Sequence, residues 1–334
     1  MSDKLNNIKP LGFQWETRDP FLFCVHHEDY YPKGNEHCGP QASLEGRNLG
    51  QDFTIKDGWR MYHGKTVPGF PGHPHRGFET ITVVRKGLVD HSDSLGASGR
   101  YGNGDVQWMT AGKGLQHAEM FPLLNKEKDN PLELFQIWLN LPKKSKMVEP
   151  FYKMLWSEDI PVLTDSEEKV SVEVIAGELG DVKPQSPPPN SWAFEQSNEV
   201  AVWNVKMKGE SSWLLPKASQ NLNRTLYFYS GQGLMIDGME IPEYHSVELN
   251  SLHDLQIVSK EKDLSFLVLQ GKPIEEPVAQ YGPFVMNSQA EIEQAYLEYH
   301  KTQFGGWPWK TSGPVHGDEI KRFAKYADGR SEEK

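Results

Sequence analysis

Apolar residues fall along most of the chain in short runs of strand character, some of them with the period-two alternation of a half-buried strand. TITVVRKGLVDHSD, LELFQIWLNL, VSVEVIAGEL, EVAVWNVKM, TLYFYSGQGLMID and LSFLVLQGK are rich in β-branched and aromatic residues, as strands are. The turn sequences RKG, GNGD, SGQG and DGME punctuate them. Many short strands with turns at regular intervals predict an all-β fold, a sandwich or barrel. One segment follows the helical period instead: SQAEIEQAYLEYHKTQF, residues 288–304. Ser288 and Glu291 form an N-terminal capping box there, and Ile292, Ala295, Tyr296 and Tyr299 recur on one face.

Two halves repeat one pattern. ETITVVRKGLVDHSD is followed by GNGDVQWM, and RTLYFYSGQGLMIDG by IPEYHSVEL, each a strand, a glycine-containing turn and two further strands. At 334 residues the chain exceeds what one core usually serves, so an internal duplication into two all-β domains is expected. The join falls in LPKKSKMVEP, 141–150. The reading is therefore a first domain at 1–145, a second at 146–309 that includes the helix, and a polar tail at 310–334. PQSPPPNS, 184–191, is a loop within the second domain.

Charge narrows the partners. A formal net charge of -11 and no basic block speak against direct contact with nucleic acid. No run approaches the ~18 apolar residues of a membrane span, and the N-terminus lacks the apolar core of a secretory signal. A cytoplasmic protein is expected. Cys24 and Cys38 are too few for a disulfide framework. Their neighbours His26, His27 and His37 lack the paired spacing of a structural zinc site, so these five residues are read as structural.

Chemistry gathers in two stretches. In GHPHRGFETITVV, 72–84, His73 and His75 are two apart and share a face of an extended chain, and by the same parity so does Glu79. In GNGDVQWMTAGKGLQHAEMFP, 102–122, His117 and Glu119 are again two apart, after a bend at Gly112 and Gly114 that can bring them beside the first pair. Three imidazoles and a carboxylate suit a first-row metal such as Fe(II), Mn, Ni or Zn, with two of six positions left for substrate or dioxygen. Parity leaves both Glu79 and Glu119 open as the carboxylate. His91 and Asp93 read as a hydrogen-bonded surface pair and Gln107 and Trp108 as packing residues. Gln136 and Trp138 read as lining a barrel interior, and FGGWPW as docking against a barrel.

HPHRGFET, GDVQWMTAGKGLQHAEM and EPVAQYGPFVMN (276–287) resemble the signatures of the pirin family, within the cupin superfamily, over Phe21 to Gly306. The resemblance implies a bicupin of two jelly-roll-like β-barrels with a C-terminal helix, and metal in the N-terminal cupin only. Its ligands would be His73, His75, His117 and Glu119, and Glu79 would orient an imidazole. The implied metal is Fe(II), with Mn, Ni, Zn or Cu as substitutes. The implied activity is that of a quercetin 2,3-dioxygenase, opening a flavonol or similar small aromatic enediol, with Glu119 as the catalytic base. The alternative is a non-enzymatic, redox-sensitive metal protein that regulates a transcription factor or metabolic enzyme through a protein partner. Against the general cupin pattern, Val67 stands where a glycine is usual, and seven residues separate Glu79 from Gly87. Residues 30–66 and the tail beyond Trp309 are longer than the family's usual length, and either could cover or reshape the pocket mouth.

Overall fold

The period-two runs become strands. The computed structural model describes residues 4–334; residues 1–3, the start of the expected first domain, lie outside the described residues. The chain divides into two units. One runs up to Val25 and takes in Trp138–Asn140 and Glu158–Glu275; the other comprises His26–Ile137, Leu141–Ser157 and Glu276–Lys334.

The second of these carries the histidine motifs. Its strands, of which β1 begins and β8 ends with residues of the other unit, are β1 (Phe21–Tyr31), β2 (Gly69–His75), β3 (Phe78–Lys86), β4 (Leu88–Asp93), β5 (Ser98–Gly102), β6 (Val106–Thr110), β7 (Leu115–Met120), β8 (Asn130–Asn140), β9 (Phe151–Leu155), β10 (Phe323–Lys325) and β11 (Ser331–Glu333). One sheet runs β9-β6-β3-β8-β1, the other β11-β10-β5-β4-β7-β2. The expected bend between β6 and β7 is present. Gly112 has φ +50°, and a Cβ there would lie 2.2 Å from the Val148 carbonyl oxygen, so only glycine lets the chain reverse in this space.

Helix α1 (Gln289–Thr302) starts where the capping residues place it, with Ser288 Oγ accepting the Glu291 N–H at 3.3 Å. The Glu291 carboxylate accepts from Asn287 N at 2.9 Å rather than closing the box on Ser288. Ile292 and Ala295 pack on Phe284 and Met286, and Glu298 pairs with Arg76 at 2.6 Å. The helix, assigned in sequence to the second half, thus lies in the unit of the first.

The segment read as a polar tail joins this unit too. β10 pairs with β5, Phe323 opposite Arg100 and Lys325 opposite Ser98. An open sheet edge offers unpaired backbone groups, and β10 takes them. Arg100, 1% exposed, supplies the side-chain reason. It forks onto Asp90 with two 2.7 Å bonds and donates further to the carbonyls of Glu319 and Gly317. Aromatic residues of FGGWPW dock on the same unit, with Trp309 Nε1 donating to the Asp93 carbonyl at 2.8 Å.

The other unit pairs a seven-stranded sheet with a four-stranded one. Its core is apolar, built on Val172, Val205, Leu226, Phe228, Phe266 and Val268. Leu5–Pro10 zips onto His245–Leu249, which draws the chain's first strand into this unit. Among the described residues no helix is long and apolar enough to cross a membrane.

Arg100→Met should cost about 3–5 kcal/mol, because it strands a fully buried Asp90 and releases the tail's carbonyls. Urea unfolding at neutral pH measures this, and the double variant with Asp90→Leu should recover much of the loss.

Candidate metal centre

β2 and β7 pair antiparallel with one irregularity: Phe70 faces Glu119, His73 faces His117, and His75 faces Leu115. Between these pairs two residues of β2, Pro71 and Gly72, oppose Ala118 alone on β7, and so form a bulge. A proline and a glycine inside a strand are its sequence signal. Without the bulge Phe70 and His73 would point to opposite faces; with it both turn inward. Directly across strands, partners share a face, and on the far side of β7 His91 faces Glu119 while Asp93 faces His117.

The three imidazoles converge. Their ligand nitrogens all lie within 4.8 Å of one another. His73 Nε2 is 3.1 Å from His75 Nε2, and the His117 ring centroid lies 4.5 and 4.8 Å from those of His73 and His75. His73 Nδ1 sits 3.0 Å from the Pro71 carbonyl oxygen, which can only accept. The ring's proton is therefore on Nδ1 and the lone pair on Nε2 faces the cluster. Burial disfavours the imidazolium, lowering His73 to about 4 and His75 and His117 well below the usual value. Neutral imidazole is the form that binds metal. His117 gives the fit test: it is 0% exposed, and neither of its ring nitrogens has a hydrogen-bond partner. A buried polar group left so costs about 1–3 kcal/mol, and a coordinated cation would satisfy it.

Glu119 stands beside this cluster. Its Oε2 lies 3.9 Å from His117 Nε2 and accepts from Gln136 Nε2 at 2.6 Å; its Oε1 accepts from Thr82 Oγ1 at 3.1 Å. Burial raises its pKa. Thr82 went unread in sequence, although the alternation in TITVV places it on the face opposite Ile81.

Other candidates fall elsewhere. Glu79 does not continue the wall of His73 and His75, because the chain turns at Gly77, φ +86°, and enters the opposite sheet. There it accepts from Thr110 Oγ1 at 2.6 Å. His91 and Asp93 do pair, at 3.4 Å, but both are buried and not at the surface, with His91 stacked on Tyr152 at 4.9 Å. β4 is an interior strand of its sheet, which sequence parity does not reveal. Gln107 and Trp108 are buried. Trp138 packs on Phe23, 4.2 Å between ring centroids. Cys24 and Cys38 are unbridged and buried, and burial pushes both thiols up.

The pirin family matches residues 10–139, and the pirin C-terminal cupin domain matches 202–305. The chain belongs to the pirin family. A pirin-like protein of Solanum lycopersicum is 39% identical over 235 residues, 69% of this chain and 75% of that protein. A Pseudomonas aeruginosa protein provisionally named a quercetin 2,3-dioxygenase is 38% identical over 239 residues, 71% of this chain and 79% of that one. The crystal structure of quercetin 2,3-dioxygenase from Acinetobacter baumannii superposes with a TM-score of 0.72 at 27% identity, covering 91% of this chain and 98% of that one. The bicupin architecture is thereby shared, and the three-histidine cluster suggests a metal site in the first cupin.

The buried neutral histidines set a pH dependence. A histidine whose folded pKa is depressed contributes stability that is complete above its unfolded value, near 6.5, and is lost as pH falls toward its folded value. For His73 that window runs from about 6.5 to about 4, and His27, at about 3, extends it downward. Glu119, raised by burial, opposes this above its ordinary 4.5. Metal-stripped protein should therefore lose stability between pH 6.5 and 4 in denaturant titrations. Adding a divalent first-row metal at neutral pH should raise the midpoint, by about 2.7 kcal/mol at a hundredfold excess over Kd. His117→Ala should abolish that gain.

Proposed function

We propose that this pirin is a metal-dependent oxygenase of the quercetin 2,3-dioxygenase type. His73, His75, His117 and Glu119 would hold iron, and a flavonol or similar enediol would be the substrate. The observation that carries the reading is the buried His117, without hydrogen bonds, seated opposite His73. The names of the Pseudomonas and Acinetobacter proteins support the reaction class. When bound, the metal would supply Lewis acidity that lowers the pKa of the substrate hydroxyl.

The chain's own groups do the rest. Glu119 takes the hydroxyl proton as general base. The atom that holds it follows from its partners: Gln136 Nε2 can only donate, which keeps Oε2 deprotonated, whereas the Thr82 hydroxyl can turn from donor to acceptor. The proton therefore rests on Oε1, and Oε2 stays turned toward the imidazoles. His75 and His117, 4% and 0% exposed, are closed to water, while His73 is half-buried. The flavonol anion is then oxidised by dioxygen, and its central ring opens with loss of carbon monoxide.

Iron-loaded protein in air should bleach quercetin and release carbon monoxide. His117→Ala should lose metal and both signals. Glu119→Gln should lower kcat by roughly 10²–10⁴, with metal content determined in parallel. Metal bound without turnover overturns the oxygenase reading and favours the regulatory one, in which the net charge of -11 suits a basic protein partner.

A further inference from the structure

His75 and His117 are buried while His73 is half-buried, so we take a ligand's approach to run along His73, and aromatic rings stand beside it. Phe70, brought inward by the bulge, has its centroid 6.3 Å from that of His73. Behind it stand Phe53 at 6.4 Å and His63 at 5.7 Å, themselves 5.0 Å apart in an edge-to-face pair. Exposure grades along the line: Phe70 is half-buried, and His63 is exposed, as is Phe53 at 40%. The inner anchors are firm. Tyr62 packs on Phe70 at 5.0 Å and on Phe53 at 5.7 Å, and its hydroxyl donates to Asp29 at 2.6 Å. His63 Nδ1 bonds the Gly50 carbonyl at 2.6 Å, which holds its ring in place. Phe53 and His63 both lie in the 30–66 stretch that the sequence marks as able to reshape the pocket mouth.

We infer that Phe53, His63 and Phe70 form an aromatic binding rim that takes the distal ring of a planar aromatic ligand whose oxygens reach the three-histidine cluster. This rests on the oxygenase reading for the identity of the flavonol, but the stacking site does not need turnover. Flat rings bind well to such a surface because edge-to-face and offset contacts add about 0.5–1.5 kcal/mol per pair to area burial. A non-planar or single-ring ligand gains little from it, since a lone catechol ring engaged at the cluster leaves nothing to reach Phe53.

The test is anaerobic titration of metal-loaded protein with quercetin and with catechol, followed by absorbance. Quercetin should bind the wild type. Phe53→Ala and His63→Ala should each raise its Kd about three- to tenfold, with catechol affinity, metal content and thermal midpoint unchanged. Phe53→Tyr should stay near wild type. If the alanine variants bind quercetin as the wild type does, the rim is overturned even where aerobic turnover shows the oxygenase reading to be right. If quercetin binds in a Phe53-dependent way but is never consumed in air, the rim stands and the oxygenase reading falls. If the wild type binds no quercetin, or if both variants lose catechol as well, the rim is overturned.

Discussion

The site depends on how β2 and β7 are paired. Antiparallel register puts His73 against His117, and one surplus residue at Pro71–Gly72 lets Phe70 and His73 share the inner face. Side chains alternate strictly along a strand, so a slip of one residue would turn His117 and Glu119 away together. Several contacts pin the register. Gly72 N donates to the Ser312 carbonyl at 2.6 Å, and Trp307 packs against Gly72. β4 holds the other side of β7 through the pairs His91–Glu119 and Asp93–His117. From the facing sheet, Thr82 and Gln136 reach across to Glu119 and fix its carboxylate.

Two units of one architecture thus have opposite interiors. One packs valines, leucines and phenylalanines, and needs nothing further. The other buries His75, His91, His117, Glu119, Thr82 and Gln107 among its strands. Such an interior is costly in free energy unless each polar group finds a partner. Glu119 accepts from two donors, while neither ring nitrogen of His117 has a partner, so part of the deficit lies where the imidazoles meet. Local instability at a functional centre, offset by apolar packing elsewhere, is what a binding site built into a stable scaffold should show.

The legible parts of the sequence were those governed by short-range rules. The i, i+2 pairs His73/His75 and His117/Glu119, the glycine bend before β7 and the cap at Ser288 all follow from local geometry. Glu79 misled because parity assumes an unbroken strand, and Gly77 breaks it. His91 and Asp93 read as a surface pair because alternation gives a side chain's face but not whether that face is covered. The exchange of ends was beyond reach for a different reason. Leu5–Pro10 pairs with His245–Leu249, and Phe323–Lys325 with β5, across sequence separations that no local pattern encodes. The charged, unpatterned look of the last residues conceals that Arg100 needs their carbonyl oxygens.

β2 carries two of the three histidines, yet it lies at the edge of its sheet. An edge position is useful, because it leaves His73 half-open while the interior stays sealed. It is also a weakness, since an edge strand is held on one side only and frays first. Residues 30–66 and the chain beyond α1 meet that weakness from different directions. Residues of 30–66 add backbone contacts at the start of β2, where Tyr62 bridges Gly69, Gly69 N donates to the Met61 carbonyl and His63 N to that of Gly69. The chain beyond α1 covers the bulge through Ser312 and Trp307. Access to the cluster and rigidity of its ligands, which compete on an edge strand, are reconciled by bracing the strand around His73 instead of covering His73 itself.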